Sequence, residues 1–522
     1  MQTQRVTDEF KNEPFTDYSV PENAQAMRSA IEKVRGELGR EYPNIINGEK
    51  ITLESKFQSN NPANKSEVVG LFSEVDTDTS LVERAIESAT DAFKLWRNVS
   101  PATRAEYLFK IADIMRQQKH ELSAWMVFEV AKTWVEADGD TAEAIDFLEF
   151  YGREMLRWSE KQPITKVEGE DNRLEYIPLG VGAVIPPWNF PLAIMAGMTM
   201  AAVVTGNTVV LKPSSDSPTI AAKFMEIVEE AGLPGGVINF LTGSSKTGEA
   251  MVTHPKTRFI SFTGSKGVGL HINEEAAKAR DGQIWIKRVV AEMGGKDAIV
   301  VAEDADLDSA ASGAVAAAFG FQGQKCSACS RLIVDEKVYD KLMEKVVAIT
   351  KTLKIGQPTE SDTNVAAVIN KRSFDTTMDY IQKGVDEGGT VLTGGSGDES
   401  EGFYIEPTVI GNVLPGATIE QEEIFAPVLA VIKAHDFDHA LEIANDTEFG
   451  LTGAVYSTSQ GNLEKARREF HVGNLYLNRK CTGALVGAHP FGGFNMSGTD
   501  SKAGGREYLL QFMQGKMVSQ KI

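Results

Sequence analysis

Residues 182–213 read GAVIPPWNFPLAIMAGMTMAAVVTGNTVVLKP, and no other stretch says as much about the fold. Within it, 182–185 and 208–211 have the character of short buried strands, and the apolar run between them, 192–204, that of a helix. Prolines and a glycine separate the three segments. Two strands joined through a helix lie parallel in one sheet, with the helix covering one face. The stretch therefore predicts a crossover unit of an α/β fold.

The same alternation continues along the chain on both sides of residue 292. Its further elements are helices at 219–231 and 309–319 and strands at 237–241, 259–263, 298–301 and 332–334. Residues 80–158 instead read as successive helices, because apolar residues recur there at helical spacing. A chain of 522 residues is too long for one ordinary core. We therefore expect two α/β domains, each built on a parallel sheet.

The amino-acid composition limits the classes of partner that the protein can have and the compartment in which it can function. The net charge of −20 argues against nonspecific binding to nucleic acid, and it requires that an anionic substrate be held by local donors. Three cysteines give no disulfide framework and fit a reducing compartment. The longest apolar stretch, 192–204, is too short to span a bilayer, and residues 1–9 resemble neither a secretory signal nor a transit peptide. We expect a cytoplasmic protein with no membrane partner.

A thiol and a carboxylate are the most informative side chains of the sequence. Cys326, in the segment FQGQKCS at 321–327, follows a glycine-broken loop at the end of an alanine-rich helical run, and a loop gives a nucleophile access. Glu292 sits in a Gly-Gly turn just before the strand at 298–301. An acyl-enzyme reaction needs this pair, since the thiol forms a thioester and the carboxylate activates the water that cleaves it.

Plainer interpretations of the same residues exist. A lone cysteine is most often a small buried hydrophobe, and a glutamate beside glycines is most often a solvated turn residue. Cys326 and Cys329 also have the Cys-x-x-Cys spacing of redox and zinc sites. Zinc usually takes four ligands, but the third cysteine, Cys481, is far away in sequence, and no histidine pair has ligand spacing. We predict no metal site.

Glycines after a strand indicate where a dinucleotide could bind. The segment FTGSKGVG at 262–269 follows a strand and precedes a helix, so Gly264, Ser265 and Gly269 would let backbone N–H groups and a helix N-terminus approach a pyrophosphate. A plain glycine turn is the alternative interpretation.

Three further side chains suit the same ligand. Lys212 stands at the carboxyl end of a strand, where ligands bind in open α/β sheets, and could donate a hydrogen bond to a ribose. Glu423 could bind a second ribose, and Phe425 could contact a nicotinamide. The alternatives are a solvated lysine and an ordinary acidic loop.

Taken in order, the motifs resemble those of the aldehyde dehydrogenase superfamily from about residue 45 onward. The matching motifs are PWNFP at 187–191, KP at 212–213, FTGS at 262–265, EMGGK at 292–296, GQKC at 323–326, EIF at 423–425 and PFGG at 490–493. The resemblance implies two Rossmann-like open α/β domains, one for the cofactor and one catalytic, plus a small β oligomerisation element. It places an N-terminal arm at 1–40, the cofactor domain at 41–155 and 176–290, the oligomerisation element at 156–175 and 501–522, and the catalytic domain at 291–500. A homo-oligomer, a dimer or a multiple of dimers, follows from that element.

The resemblance also implies roles for individual residues. Cys326 is the nucleophile, Glu292 activates water, and the Asn189 side chain stabilises the oxyanion together with the Cys326 N–H. The cofactor is NAD, and its expected contacts are Pro187, Trp188, Lys212, Ser215, Gly264, Ser265, Gly269, Glu423 and Phe425. Members that prefer NAD often carry a glutamate where this chain has Ser215, so NADP should be tolerated. A second departure from the common pattern is Ala426 in place of glycine, and the sequence gives no functional reason for it.

The loop NRKCTGALVGAHPFGG at 478–493 resembles that of family members that oxidise L-glutamate γ-semialdehyde to L-glutamate in proline and arginine catabolism. By this resemblance Ser327, Gly483 and Ala484 hold the α-carboxylate, since a Thr-Gly-Ala turn exposes backbone N–H groups. Phe190 and Phe491 would pack against the aliphatic stem. No segment resembles a proline-oxidising domain, so a separate chain would supply the substrate.

Other functions stay open on sequence grounds. Another carboxylated aldehyde, such as succinate semialdehyde, is one, although enzymes for it typically bind the carboxylate with arginine. A CoA-acylating dehydrogenase usually lacks the carboxylate that Glu292 provides. A non-catalytic scaffold on the same fold would need neither Cys326 nor Glu292. His489, Cys329 and Cys481 are interpreted as structural.

Overall fold

The computed structural model describes residues 9–522, so the first eight residues of the expected N-terminal arm lie outside it. The helices of the described residues are α1 (Pro21–Arg35), α2 (Ser80–Trp96), α3 (Pro101–Gln117), α4 (Lys119–Val130), α5 (Trp134–Trp158), α6 (Ala193–Val204), α7 (Pro218–Glu230), α8 (Ser245–Thr253), α9 (Lys266–Ala277), α10 (Leu307–Phe319), α11 (Tyr339–Thr350), α12 (Lys371–Asp386), α13 (Thr418–Gln421), α14 (Phe437–Asn445) and α15 (Gln460–Glu469). Short 3₁₀ turns stand at Val75–Thr77, Gly320–Gly323 and Tyr508–Phe512. None of these helices has the length and apolar character needed to cross a membrane.

The strands belong to two large sheets, one small sheet and three two-stranded ribbons. They are β1 (Arg40–Tyr42), β2 (Asn44–Ile46), β3 (Glu49–Ile51), β4 (Lys56–Asn61), β5 (Asn64–Ser73), β6 (Glu170–Pro178), β7 (Val181–Ile185), β8 (Thr208–Leu211), β9 (Ile238–Phe240), β10 (Thr257–Thr263), β11 (Arg288–Glu292), β12 (Ala298–Val301), β13 (Arg331–Asp335), β14 (Thr390–Thr393), β15 (Gly397–Asp398), β16 (Tyr404–Ile405), β17 (Thr408–Val413), β18 (Val428–Ala434), β19 (Phe449–Gly450), β20 (Thr452–Tyr456), β21 (Asn474–Leu477), β22 (Phe494–Asn495) and β23 (Met513–Lys521).

The first large sheet has the strand order β11-β10-β7-β8-β9-β2-β3. The five strands from β11 to β9 are parallel, and β2 and β3 continue the sheet antiparallel. From β7 the chain proceeds to β8 and β9 on one side and to β10 and β11 on the other, so the strand order reverses between β7 and β10. In open α/β sheets a ligand crevice forms at such a reversal, outside the carboxyl ends of the strands. The predicted parallel α/β fold is confirmed.

The second large sheet has the order β14-β17-β18-β13-β12-β20-β21 and is parallel except for the edge strand β14. Each predicted strand in this half lies within one or two residues of an observed one. The strand β11 was not predicted: Glu292 is its last residue rather than a member of a turn. Only residues 293–297 separate β11 from β12, so the carboxyl edge of the first sheet meets the amino edge of the second. The candidate catalytic residues lie at this junction.

Helix α6 is buried on every side, since all of its residues except Ile194 are enclosed between α5, α3 and the first sheet. Such a helix reads as apolar all round, which is why the sequence identified it without periodicity. It fixes the position of the segment 186–192 that precedes it. That segment carries Asn189 and Phe190.

The first part of the β element, expected at 156–175, has other bounds in the structure. Its first residues complete α5, which ends at Trp158, and the strand β6 begins only at Glu170 and runs beyond the expected boundary to Pro178. β6 pairs antiparallel with the C-terminal strand β23, in a register that sets Leu174 opposite Met517. The strand partner is thus supplied by the other end of the chain. Backbone groups of a long strand need a partner, and a local hairpin is not the only source.

Candidate active site

Cys326 stands on a turn whose backbone is unusual. Phe321 and Gln322 have positive φ angles of 50° and 57°, followed by Gly323 at 66°. A side chain at Gly323 would place its Cβ 2.4 Å from the carbonyl oxygen of Ala426, so only glycine fits there. Left-handed residues outside glycine are uncommon and cluster at functional sites. The turn leaves Cys326 half-buried at the end of α10. It also accounts for Ala426 as a packing neighbour of the turn.

The thiol of Cys326 is held in its protonated form by its surroundings. Burial raises its pKa well above the ordinary value, and the carboxylates of Asp297, Glu423, Glu292 and Glu143 raise it further. A nucleophilic attack therefore requires that a nearby base take the proton.

Glu292, which lines the same cavity, has a carboxylate suited to that role. Burial raises its pKa to about 7, against the lowering effect of hydrogen bonds from Ser501 and Gly493. The Ser501 hydroxyl donates to Oε1 at 2.6 Å, and the Gly493 N–H donates to Oε2 at 3.4 Å. A carboxylate that titrates near neutral pH can both accept and release a proton during turnover.

Asn189 approaches the turn of Cys326 from the segment after β7. Its side chain is 4% exposed, and its Nδ2 donates to the carbonyl oxygen of Gln324 at 3.1 Å. Within the described residues, neither a second acceptor for this amide nor an acceptor for the Cys326 N–H is present. Two N–H groups near the thiol are thus available for an oxyanion.

The expected cofactor residues gather at the carboxyl edge of the first sheet. Pro187 and Trp188 follow β7, Lys212 follows β8, and Ser265 follows β10. Lys212 is 6% exposed and donates only to the Pro213 carbonyl, at 3.1 Å, within the described residues. Burial lowers its pKa to about 8, so this ammonium group would gain from additional acceptors such as ribose hydroxyls.

A helix N-terminus completes the phosphate part of this crevice. Ser265 is the N-cap residue of α9, and its side chain makes no capping hydrogen bond to the free N–H groups there. Gly264 donates from its N–H to the Glu292 carbonyl at 3.1 Å, which joins β10 and β11 at this point. A side chain at Gly269 would meet the Met293 sulfur at 2.4 Å. Ser215 is exposed at the rim, with its hydroxyl 3.4 Å from the Gly243 carbonyl.

Glu423 and Phe425 border the crevice from the second sheet. The Gly295 N–H donates to Glu423 Oε1 at 3.0 Å, and burial raises the Glu423 pKa to about 7. The Phe425 and Trp188 rings meet edge to face with centroids 5.6 Å apart. A buried lysine with one partner, an uncapped helix N-terminus, a buried carboxylate and two aromatic rings fit the phosphates, riboses and ring of a dinucleotide.

A cavity of about 460 Å³ extends from the Cys326 thiol to the other side of the junction between the two large sheets. Cys326 and Glu292 line one end of it, and all five expected substrate residues line the rest: Phe190, Ser327, Gly483, Ala484 and Phe491. The sequence therefore identified residues that the fold brings into one space. Their individual roles stay predictions.

The substrate loop, residues 478–487, presents unused donors to this cavity. Gly483 has a φ of 81°, and within the described residues neither its N–H nor that of Ala484 has an acceptor. Arg479 holds the loop by donating to the carbonyl oxygens of Thr482 and Gly483, at 3.0 and 3.1 Å. His489 accepts a hydrogen bond from Leu485 N at 3.2 Å, which agrees with a structural role. The loop therefore has the form of an anion-binding nest beside a cation.

Sequence reasoning missed the charged residues of α5. Glu136, Asp140, Glu143 and Asp146 all line the cavity. Their spacing of three or four residues puts them on one face of the helix, which is the signal that could have identified them. Burial and the neighbouring Asp140 raise the pKa of Glu143 to about 8.

The other two cysteines lie away from the cavity. Cys329 and Cys481 are 1% and 0% exposed, and the Cys481 thiol donates to the Ser327 carbonyl at 3.4 Å. In the part of the chain that the structure describes, the one group of potential metal ligands is Glu249, His271 and Glu275 at the surface, without a cysteine.

Comparisons with known proteins agree with this geometry. Residues 50–518 match the sequence profile of the Aldehyde dehydrogenase family. The chain is 59% identical over 512 residues to 1-pyrroline-5-carboxylate dehydrogenase of Geobacillus thermodenitrificans, covering 98% of this chain and 99% of that one.

Solved structures give the same result. A 1-pyrroline-5-carboxylate dehydrogenase from Thermus with bound NAD superposes with a TM-score of 0.97 at 48% identity, covering 99% of this chain and 100% of that one. Proline utilization A from Bdellovibrio bacteriovorus superposes with a TM-score of 0.96 at 43% identity, over 98% of this chain and 53% of that longer one. By its sequence and by its fold, the chain belongs to the aldehyde dehydrogenase family.

Proposed function

We propose that this chain oxidises L-glutamate γ-semialdehyde, the hydrolysed form of 1-pyrroline-5-carboxylate, to L-glutamate with NAD as oxidant, in proline and arginine catabolism. The observation that carries the proposal is the single cavity in which Cys326 and Glu292 face the unused N–H groups of Gly483 and Ala484. Relatives named for 1-pyrroline-5-carboxylate support the same substrate.

The reaction begins with proton transfer from the Cys326 thiol to the ionised Glu292, since the surroundings disfavour a free thiolate. The sulfur then attacks the aldehyde carbon. Asn189 Nδ2 and the Cys326 N–H donate to the oxyanion, and loss of one such donor typically costs about 10²–10³ in rate. NAD, when bound, supplies the hydride acceptor that converts the thiohemiacetal to a thioester. Glu292 releases that first proton to solvent and then takes a proton from water, whose oxygen attacks the thioester; the acid leaves and Cys326 is regenerated.

Substrate binding follows from the charges of the cavity. The nest at Gly483 and Ala484 and the Ser327 hydroxyl would hold the α-carboxylate, while the rings of Phe190 and Phe491 pack on the stem. Glu143, which has no hydrogen-bond partner within the described residues, would pair with the α-ammonium group. An ammonium ion would stabilise the ionised form of a carboxyl whose pKa is raised to about 8. Succinate semialdehyde lacks that ammonium group, so Glu143 favours the amino-acid aldehyde.

Cofactor contacts are part of the proposal. The first sheet forms the cofactor domain, with Pro187 and Trp188 along the crevice, Lys212 at the adenine-side ribose and Glu423 at the nicotinamide ribose. Gly264, Ser265 and Gly269 face the phosphates, and Phe425 contacts the nicotinamide. Ser215 leaves room for a 2′-phosphate, so NADP is also used.

The assembly and location complete the proposal. The ribbon of β6 and β23 exposes Met517 and Val518, 55% and 38% accessible, and we propose that it joins subunits of a homo-oligomer. The likeness to proline utilization A, over 53% of that chain, supports a link between this reaction and proline oxidation. The free thiols of the three cysteines suit the cytoplasm.

The decisive experiment compares kcat/KM for L-glutamate γ-semialdehyde and succinate semialdehyde, following NADH. We expect a preference of about tenfold to a hundredfold for the amino-acid aldehyde, the value of one charge-assisted hydrogen bond. Glu143→Gln should reduce this preference, while Glu249→Gln, a surface control, should not. Equal rates with both aldehydes in the unsubstituted protein would contradict the proposal.

A further inference from the structure

The N-terminal segment, residues 10–16, lies against the substrate cavity although it is remote in sequence from the catalytic residues. Phe15 is one of the cavity-lining residues, together with Cys326 and the substrate loop. Its ring is 63% exposed, so it stands at the mouth rather than in the interior. The segment therefore borders the path by which an aldehyde reaches the thiol.

Three helices hold the segment in place. The backbone N–H of Thr16 donates to Asp138 Oδ2 at 2.7 Å. Arg116 pairs with Glu13 at 2.7 Å. Lys119 donates to the Pro14 carbonyl, also at 2.7 Å. Contacts of this number fix the backbone, which makes the segment a permanent part of the cavity wall.

Asn12 connects the segment to both sides of the cavity. Its Nδ2 donates to Asp146 Oδ2 at 2.7 Å and to the Val486 carbonyl at 3.0 Å. Asp146 is a cavity residue of α5 and is 5% exposed, and Val486 follows Ala484 by two positions in the substrate loop. The Glu13 N–H donates to the other oxygen of Asp146 at 2.6 Å. One amide thus links the helix that carries Glu143 to the loop that carries the nest.

An aromatic contact fixes the end of the loop. The rings of Phe10 and Phe150 meet edge to face with centroids 5.2 Å apart. Gly487 lies between them with a φ of 79°, and a Cβ there would come within 3.1 and 3.2 Å of the two rings. The two rings therefore enclose position 487 closely and leave little space for a side chain there.

We propose that residues 10–16 form part of the substrate site, with Asn12 as a positioning residue that sets the distance between the anion-binding loop and α5. This inference rests on the proposed function and deepens it. The N–H groups of Gly483 and Ala484 and the carboxyl of Glu143 must grip two neighbouring groups of one substrate. The hydrogen bonds of Asn12 connect the substrate loop, which carries the N–H groups, to α5, which carries Glu143. They therefore determine specificity for an amino-acid aldehyde, although Asn12 itself does not contact the reacting atoms.

The test uses the full chain, with two readouts: the Kd for the product L-glutamate by calorimetry, and the ratio of kcat/KM for L-glutamate γ-semialdehyde to that for propanal. Propanal has neither of the groups that the loop and Glu143 bind. The informative variant is the exchange Asn12→Asp with Asp146→Asn. The amide placed at position 146 would donate to the carboxylate placed at position 12 and still accept from the Glu13 N–H, so the segment stays on α5. That carboxylate, however, has no N–H for the Val486 carbonyl.

We expect this double variant, like Asn12→Ala, to raise the Kd for L-glutamate about fivefold and to lower the kcat/KM ratio by a similar factor, the value of one hydrogen bond. Glu22→Gln, at an exposed position of α1 outside the segment, is the control and should behave as the unsubstituted protein. If the double variant restores the original Kd and ratio while Asn12→Ala does not, the segment is only an anchor and the inference is overturned. If the unsubstituted protein itself does not prefer the semialdehyde to propanal, the result contradicts the proposed function rather than the role of Asn12. Should Asn12→Ala fail to fold, the double variant decides alone.

Discussion

Glu292 combines two properties that usually oppose one another. Burial favours its neutral form and raises its pKa to about 7, while two hydrogen bonds, from Ser501 and Gly493, favour the ionised form. The balance gives a base that is neither permanently charged nor permanently protonated at neutral pH. Such a base can serve first the thiol and then the water.

Glu292→Gln should impair both halves of the reaction. A glutamine can accept a proton neither from the thiol nor from water, so we expect slower release of NADH and accumulation of the thioester on Cys326. The single-turnover rate of NADH release and the mass of the acyl-enzyme measure the two effects. Steady turnover at the original rate would remove Glu292 from the role of base.

The hydrolytic step should depend on pH through the same group. In the proposed mechanism only the ionised Glu292 carboxylate activates water, so we expect the deacylation rate to rise with pH through about 7. Ser501→Ala removes a hydrogen bond that stabilises the ionised carboxylate, so it should move this rise to higher pH. Deacylation rates measured from mildly acidic to mildly alkaline pH test both statements. An identical pH profile for the variant would show that the rise in rate reflects the ionisation of another group.

Ser215 is the residue where cofactor choice can be tested. It is exposed at the rim of the crevice, next to Gly243. In Ser215→Glu the carboxylate would accept from a ribose 2′-hydroxyl and repel a 2′-phosphate, so the NAD to NADP ratio of kcat/KM should rise by about tenfold. Ser214→Ala is the control. An unchanged ratio would show that the ribose 2′ position of the cofactor does not lie next to residue 215.

Among the secondary-structure elements, helix α5 does more than cover the sheet. One face packs in the core, and the other carries the acidic side chains that line the cavity. A buried ion pair stands between the two faces: Lys132, just before the helix, contacts Asp140 at 2.7 Å with both side chains fully buried. Lys132 also lies 3.9 Å from the centroid of the Phe190 ring and 4.6 Å from that of Phe321. This ammonium group therefore supports the cavity wall and the nucleophile turn together.

Lys132→Met should lower the free energy of unfolding by about 3–5 kcal/mol, because it leaves Asp140 buried without a counter-charge. Adding Asp140→Asn should recover most of that loss, since an asparagine Oδ1 still accepts from the Ala193 N–H that Asp140 binds at 2.6 Å. Urea unfolding of the single and double variants measures both values. Equal losses in the two variants would mean that the cation contacts with the rings, rather than the ion pair, stabilise this region.

Elements with a local signature could be predicted from sequence. The strand at 208–211 is four apolar or β-branched residues between turns, and its observed bounds are Thr208–Leu211. The strand β11 was missed because Arg288–Glu292 begins and ends with a charged residue and its pairing with β10 is not local. The acidic face of α5 was missed because its carboxylates look like a solvated surface until the cavity is seen beside them.

The whole molecule is closed by contacts between distant parts of the chain. Asn12 and Val486 are 474 residues apart, and β6 pairs with the last strand of the chain. The motif order predicted candidate catalytic residues that line one cavity, because each motif is short and contiguous. No periodicity or composition could have paired the N-terminal segment with the substrate loop, since such a contact depends on the assembled fold.

The ribbon of β6 and β23 should determine the oligomeric state. Met517→Glu with Val518→Glu places charge on its exposed apolar side chains, so we expect dissociation, measured by light scattering during gel filtration. Leu95→Glu, at a residue of α2 that is 77% exposed, is the matched control. An unchanged mass for the double variant would place the subunit interface on another surface.

The contacts that strands β10 and β11 of the first sheet make with residues 510–513 have a consequence during synthesis. Arg288, which begins β11, donates to the carbonyl oxygens of Leu510, Gln511 and Met513, and the Phe512 ring packs on Phe259 of β10. At about 5–20 residues per second, a ribosome needs on the order of tens of seconds to reach this tail after β11 has been made. Throughout that interval the nascent sheet presents an uncovered apolar edge. The contact between Phe259 and Phe512 can therefore form only after the sheet has already been made.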